Sequence, residues 1–507
     1  MIRKNLQWLL YALIFVACQP SAKKTEGESK QPNIVVIYAD DLGFGDVSAY
    51  GVGKLNTPNM DRLANEGIRF ENGYATSATC TPSRFSLLTG QYPWRNEGAQ
   101  VLPGDAPLLI DPAQPTLPKM LKNAGYSTAV IGKWHLGLGS GNVDWNKHVG
   151  PGANDVGFDY SYIMAATNDR VPNVYVENGD VLGLDPNDKL EVSYRKNFVG
   201  EPTGKENPEL LKMMYSHGHD MSINNGISRI GFQRGGKAAQ WIDENMADTF
   251  LVRAQQFVKQ QKEKPFFLFY ALHQPHVPRV PHSRFAGTTG MGPRGDVIAE
   301  ADWCIGEFLQ TLEAEGLMEN TLIIFSSDNG PVLDDGYEDE AAEKLGDHMP
   351  WGPFRGGKYS LYDAGTHVPF MAMWKGKIQP GVSDALVSQV DIFASLAKLV
   401  GQPLPENDSE DVLDALIGKS QKGRESLVIE GLKHKTAFRK GDWVLIPSYE
   451  GPTRVPWGVD MNTGFSKETQ LYNIKEDKAQ QINLAGQMTE KIKEMIEEFE
   501  SIRGKDD

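Results

Sequence analysis

Cysteine is scarce in this chain, with three in 507 residues, and no run of apolar residues approaches the roughly 20 needed to span a bilayer. A disulfide scaffold and an integral membrane protein are thereby excluded. No cysteine or histidine cluster has zinc-ligand spacing, which argues against a zinc centre. There is no low-complexity tract and no internal repeat. Positive charge is also short: 51 Lys and Arg stand against 66 Asp and Glu, a net charge of −15. Such a surface repels nucleic acid and any other polyanion at long range, so an anionic ligand must be held by a local basic pocket.

What is present begins with an export signal. Arg3 and Lys4 lead into the apolar stretch Trp8 to Ala17, which ends at Cys18 and a polar tail. Phe15 to Cys18 (FVAC) resembles a lipobox, which would make Cys18 a lipid-anchored first residue; simple cleavage near Ala17 is the alternative. The protein is therefore expected to be exported, periplasmic or lipid-anchored to a bacterial membrane. Loss of residues 1–17 removes two positive charges and leaves 49 basic against 66 acidic residues. Residues 18–31 read as a polar tether.

Beyond residue 32 the pattern is that of an α/β protein. NIVVIYA (33–39), STAVIG (127–132), PFFLFYAL (265–272) and TLIIFSS (321–327) are continuous apolar runs, the signature of strands buried on both faces of a parallel sheet. Helical stretches such as NMDRLANEG, TLPKMLKNAG and DTFLVRAQQFVKQQ alternate with them. The expected architecture is a large, mainly parallel central sheet flanked by helices over 32–404, followed by a small carboxyl-terminal α+β subdomain over 405–507. An irregular region from about 138 to 240, rich in Gly, Asn, Asp and Pro, is too long for a passive connection and is expected to build a substrate pocket.

Two buried strands end alike. NIVVIYA runs into Asp40 and Asp41, and TLIIFSS runs into Asp328 and Asn329. Ligands of parallel sheets bind beyond the carboxyl ends of the strands, so these four oxygen-bearing side chains are expected to converge. Hard oxygen ligands suit one divalent cation, Ca2+, with Mg2+ as the alternative. In ATCTPSRFSLLTG, Pro82 marks a first helical turn, which places Cys80 just before a helix amino terminus, where anions are favoured. Helical periodicity around Cys304 makes that residue a buried structural cysteine.

CTPSR (80–84) resembles the C-x-P-S-R signature of type I sulfatases, in which the cysteine is oxidised to Cα-formylglycine. GYSTAVIGKWHLG (125–137) resembles the second signature of that family; NIVVIYADDLGFGD and SSDNGP resemble its metal segments, and GGKYS its later lysine segment. The resemblance implies a formylglycine at Cys80, made by a formylglycine-generating enzyme, that surrounds the metal together with Asp40, Asp41, Asp328 and Asn329. It places Arg84 beside the aldehyde hydrate, and Lys133, His135, His276 and Lys358 around the sulfate. In this scheme His135 acts as base, and His276 or Lys358 supplies the proton to the leaving alcohol. His273, His217, His219 and Arg229 are candidate substrate contacts, whereas His148, His282, His348 and His434 read as satisfied polar residues. One departure is AGTHVP (364–369), with His367 where relatives often carry arginine. The implied reaction is hydrolysis of sulfate esters on a carbohydrate, such as an ulvan- or galactan-type polysaccharide or a host glycan. The alternatives are a phosphodiesterase or phosphonate monoester hydrolase of the same superfold, and a catalytically silent glycan-binding relative.

Overall fold

The computed structural model describes residues 31–504 apart from 52 and 262; the export signal, Cys18 and most of the tether lie outside the described residues. Ten strands form the main sheet. Their spatial order is Gly381–Ser388, Ile68–Tyr74, Phe370–Met373, Thr321–Ser327, Asn33–Ala39, Phe266–Ala271, Ser127–Lys133, Tyr160–Met164, Tyr175–Glu177 and Asp180–Val181. The five from Thr321–Ser327 to Tyr160–Met164 are mutually parallel, and antiparallel pairs occur toward the edges.

The continuous apolar runs have a simple cause. Side chains alternate along a strand, and in Asn33–Ala39 the residues Ile34, Val36 and Tyr38 enter one core while Val35, Ile37 and Ala39 enter the other. The neighbouring Phe266–Ala271 strand divides in the same way. Helices Cys80–Thr89, Leu117–Asn123 and Ile392–Val400 contribute to the first core; Pro58–Glu66, Met246–Gln260 and Gly292–Ala314 contribute to the second. Cys304 is buried in the second core, and Cys80 and Cys304 are both free thiols.

A four-stranded antiparallel sheet, Ser426–Glu430, Thr436–Lys440, Trp443–Ile446 and Gln470–Asn473, forms the carboxyl-terminal subdomain with the final helix Thr489–Arg503 packed on it. The polar shift near 405 precedes this sheet, because the short helix Leu413–Leu416 still packs on Ile392–Val400 in the first core. The 138–240 region is more regular than its composition suggests. It adds the last three strands to the main sheet and forms one small hairpin, Ile223–Asn224 with Ile227–Ser228, and a separate antiparallel pair of Glu191–Ser193 with Phe232–Arg234. Its many turn residues disguise strands of two to five residues, too short to show a period.

Candidate functional site

Register brings the two acid pairs together. Asn33–Ala39 and Thr321–Ser327 pair in parallel from Asn33 opposite Thr321 to Ala39 opposite Ser327, so Asp40 and Asp328 leave the sheet side by side. Carboxylate oxygens of Asp40, Asp41 and Asp328 lie within 4.8 Å of one another. Asp41 has φ +64°, a left-handed conformation uncommon outside glycine. Its backbone N–H donates to Asp328 Oδ1 (3.2 Å), and its Oδ1 accepts from Asn329 Nδ2 (2.7 Å).

All four residues are buried, and cations are interleaved with them. Arg84 grips Asp328 Oδ2 through Nη2 (2.7 Å) and Nε (3.0 Å), and donates from Nη1 to the Lys133 carbonyl. Lys133 Nζ lies 2.6 Å from Asp40 Oδ2 and 3.7 Å from Asp328 Oδ2. Lys358 Nζ bridges Asp41 Oδ2 and Asp335 Oδ2, both at 2.8 Å. Burial raises the carboxyls of Asp40 and Asp41, against the pull of Lys133 and Lys358 respectively. Burial also works to raise Asp328, yet Arg84 and Lys133 hold it below the usual carboxylate range. Two buried oxygens remain without a hydrogen bond, Asp40 Oδ1 and Asn329 Oδ1. Unsatisfied oxygens inside a cluster of acids are what a hard cation takes up, so the residues fit one divalent metal.

Cys80 is the first residue of the Cys80–Thr89 helix, one position further in than its turn-like neighbours suggest, and it is buried. Ligand atoms of Asp40, Cys80 and His276 lie within 4.8 Å of one another. His276 donates from Nδ1 to the Val277 carbonyl (2.7 Å), leaving Nε2 3.9 Å from Asp41 Oδ2. His135 has a positive φ, donates from Nε2 to the Leu102 carbonyl (2.9 Å), and keeps a buried Nδ1 with no partner. Burial first, then Lys133 at His135 and Lys358 at His276, push both imidazoles well below the ordinary histidine range.

Above Cys80 opens a cavity of about 400 Å³. His276, Lys358, His217 and His219 line it. Arg84, Lys133 and His135 lie beneath its floor with no exposure. His273 instead borders a separate small cavity with Asn168 and Asp243, and Arg229 is buried in a bidentate pair with Asp243 (2.8 Å), so neither faces the Cys80 cavity. His367 is also elsewhere. It stacks on Phe354 and contacts Asp363 Oδ2 (2.7 Å) and the Glu71 carbonyl (2.7 Å).

Sequence reasoning missed several wall residues. Asp169 and Arg170 come from the 138–240 region, with Asp169 Oδ2 2.9 Å from His219 Nε2 and Oδ1 2.9 Å from Arg170 Nη1. Asp335 shares a loop with Asp328, and the acid pair in VLDDG was a readable signal for it. Glu430, His434 and Trp457 come from the carboxyl-terminal subdomain, and nothing local announces them. His434 is a satisfied polar residue, as its sequence suggests, with Nδ1 3.0 Å from Glu430 Oε2 and Nε2 3.2 Å from the Glu97 carbonyl, and the fold also places it on the cavity wall. His348 is likewise satisfied, buried 2.8 Å from Asp46.

Buried acids and bases converging on a cysteine at the carboxyl ends of a parallel sheet define a hydrolase of anionic esters. The chain belongs to the sulfatase family, whose model, described as Sulfatase, matches residues 32–402. An N-acetylgalactosamine-6-O-sulfatase of Bacteroides thetaiotaomicron is 50% identical over 509 residues, covering 99% of each chain. Human arylsulfatase A is 32% identical over 407 residues, covering 79% of this chain and 70% of that protein. A solved structure from work on the metabolism of multiple glycosaminoglycans by Bacteroides thetaiotaomicron superposes with a TM-score of 0.92 at 50% identity, covering 94% of this chain and 100% of that one.

Proposed function

We propose that this sulfatase removes the 6-O-sulfate from N-acetylgalactosamine in glycosaminoglycan-type chains, using Cys80 as formylglycine and one divalent cation, Ca2+, held by Asp40, Asp41, Asp328 and Asn329. The observation that carries the chemistry is the pair of buried, unpartnered oxygens on Asp40 and Asn329 beside Cys80. The sugar rests on the relative that is 50% identical from end to end, which favours an amino sugar over an algal polysaccharide. Export to the periplasm, a lipid at Cys18 and maturation by a formylglycine-generating enzyme belong to the same proposal, as do the roles below.

The metal supplies positive charge and lowers the pKa of a hydroxyl beside it. A formylglycine at residue 80 would supply, as its hydrate, a nucleophilic oxygen and a second hydroxyl for a neighbouring base to deprotonate. The chain's own groups do the rest. Lys358, on the cavity wall and kept charged by Asp335 and Asp41 despite its burial, donates a proton to the departing alcohol oxygen as the sulfur–oxygen bond breaks. His276 presents Nε2 to the same space and orients the ester. His135, neutral and with Nδ1 free, accepts the proton of the second hydroxyl. Arg84 and Lys133 supply fixed positive charge beneath the sulfate, worth several kcal/mol in a water-poor site.

Protein coexpressed with a formylglycine-generating enzyme should release sulfate from N-acetylgalactosamine 6-sulfate, and its Cys80 peptide should be lighter by about 18 Da, as conversion of a thiol to an aldehyde requires. Full turnover by protein carrying only unmodified Cys80 would contradict the nucleophile. Hydrolysis of phosphodiesters with no release of sulfate would transfer the chain's activity to the phosphorus-ester class.

A further inference from the structure

The cavity above Cys80 extends outward to two residues that the reaction leaves unused. Lys433 sits at the tip of a turn, Leu432–His434, with φ 54° and ψ 44°, and His434 follows with φ 56°. Two consecutive left-handed residues, neither of them glycine, persist only where the surroundings enforce them. Here the enforcement is visible. His434 lies 3.0 Å from Glu430 Oε2 through Nδ1 and 3.2 Å from the Glu97 carbonyl through Nε2, its carbonyl accepts from Arg503 Nη2 (3.2 Å), and Gly431 N–H donates to the Lys435 carbonyl (2.8 Å). Lys433 itself is exposed on the cavity rim and has no ion-pair partner among the described residues, in a protein whose acids outnumber its bases.

Trp457 shares that rim and is 43% exposed. Its ring meets Tyr359 edge-on with centroids 5.2 Å apart. At Gly458, φ +109°, any Cβ would come within 2.7 Å of the His217 ring, so the glycine lets the loop close against the cavity wall. Tyr359 donates to Asp335 (3.1 Å), which in turn holds Lys358 (2.8 Å). The outer aromatic is therefore three contacts from Lys358, the group assigned to the leaving oxygen.

Resting on the sulfatase reading above, we propose that Lys433 and Trp457 form a subsite for the next sugar of the chain, and that this sugar carries a carboxylate. The apolar face of its pyranose ring packs on the indole, which offers a large rigid surface at low entropic cost. Its carboxylate pairs with the Lys433 ammonium, a compact point charge on a flexible stem. The enzyme then uses binding energy from the neighbouring sugar to position the sulfate ester over Cys80.

The test uses formylglycine-loaded full-length enzyme and three probes: N-acetylgalactosamine 6-sulfate, the same residue linked to glucuronate, and that disaccharide with its carboxyl reduced to an alcohol. Wild-type kcat/KM should be at least about tenfold higher on the uronate disaccharide than on the monosaccharide. Trp457→Ala should remove most of that advantage on both disaccharides, and Trp457→Phe should restore part of it. Lys433→Gln should lower kcat/KM about fivefold on the uronate disaccharide only, leaving the reduced disaccharide and the monosaccharide unchanged. Equal losses on mono- and disaccharide, or no wild-type preference for the disaccharide, would overturn the subsite while leaving the sulfatase reading in place. No sulfate released from any probe would sink both.

Discussion

The floor and the wall of the Cys80 cavity are built in opposite ways. The floor consists of residues at the carboxyl ends of parallel strands in one sheet: Asp40 and Asp41 just beyond Asn33–Ala39, Asp328 and Asn329 just beyond the adjacent Thr321–Ser327, and Lys133 as the last residue of Ser127–Lys133, which Phe266–Ala271 separates from Asn33–Ala39. The wall is assembled from distant pieces, with Asp169 to His219 from the 138–240 region and Glu430 to Trp457 from the second sheet. In the floor, acids and bases are interleaved and buried, with Lys358 shared between Asp41 and Asp335, so a lost partner leaves an uncompensated charge. In the wall, buried groups such as Asp169, His219 and Glu430 stand beside exposed ones such as Lys433 and Trp457. Under the proposed function the floor carries the chemistry and the wall the recognition, so a change in the wall should cost less turnover than one in the floor.

The largest effect should come from breaking the floor. Asp328→Asn removes the charge that holds Arg84 and a proposed metal ligand together, and kcat should fall by at least about 1,000-fold. Exhaustive chelation of the wild type should match it and be reversed by Ca2+; unchanged turnover in metal-free protein would remove the metal from the site.

A wall variant should behave differently. His219→Ala leaves Asp169 with one fewer partner but touches no floor residue, so KM should rise about 10- to 100-fold while kcat stays within about threefold. An equal fall in kcat would mean that floor and wall are not separable. They do share backbone: Ala78 N–H donates to the Glu430 carbonyl (2.7 Å) and Glu430 N–H to the Thr76 carbonyl (2.9 Å), which joins the second sheet to the segment entering Cys80.

The smallest expected effect on activity lies behind both regions. Glu300 accepts from the His282 N–H (2.9 Å) and Gln274 Nε2 (3.1 Å), but burial without a matching cation raises its carboxyl to about 7. Because the folded protein binds this proton more tightly than the unfolded chain, the associated stability is complete below about pH 4.5 and is lost as pH rises through about 7. Glu300→Gln should therefore raise Tm at pH 8 more than at pH 5, with kcat unchanged. A shift of equal size at both pH values would show that the group titrates normally.

The sequence itself determined the four central strands and the floor. Short apolar runs alternating with helical stretches fit strands buried on both faces of a parallel sheet, and acids at the ends of two such strands fall at the edge where ligands of parallel sheets bind. CTPSR and the lysine segments added the cysteine and its cations by family resemblance. The wall was decided by tertiary structure alone. Glu430, His434 and Trp457 reach the cavity because the second sheet pairs with residues 76–78, and no local period or spacing encodes that contact. The same limit explains His273 and Arg229, whose residue types fit a substrate contact but whose burial turns them toward Phe250 and Asp243. A side chain's type is written in the sequence, whereas the direction it faces depends on which distant elements pack around it.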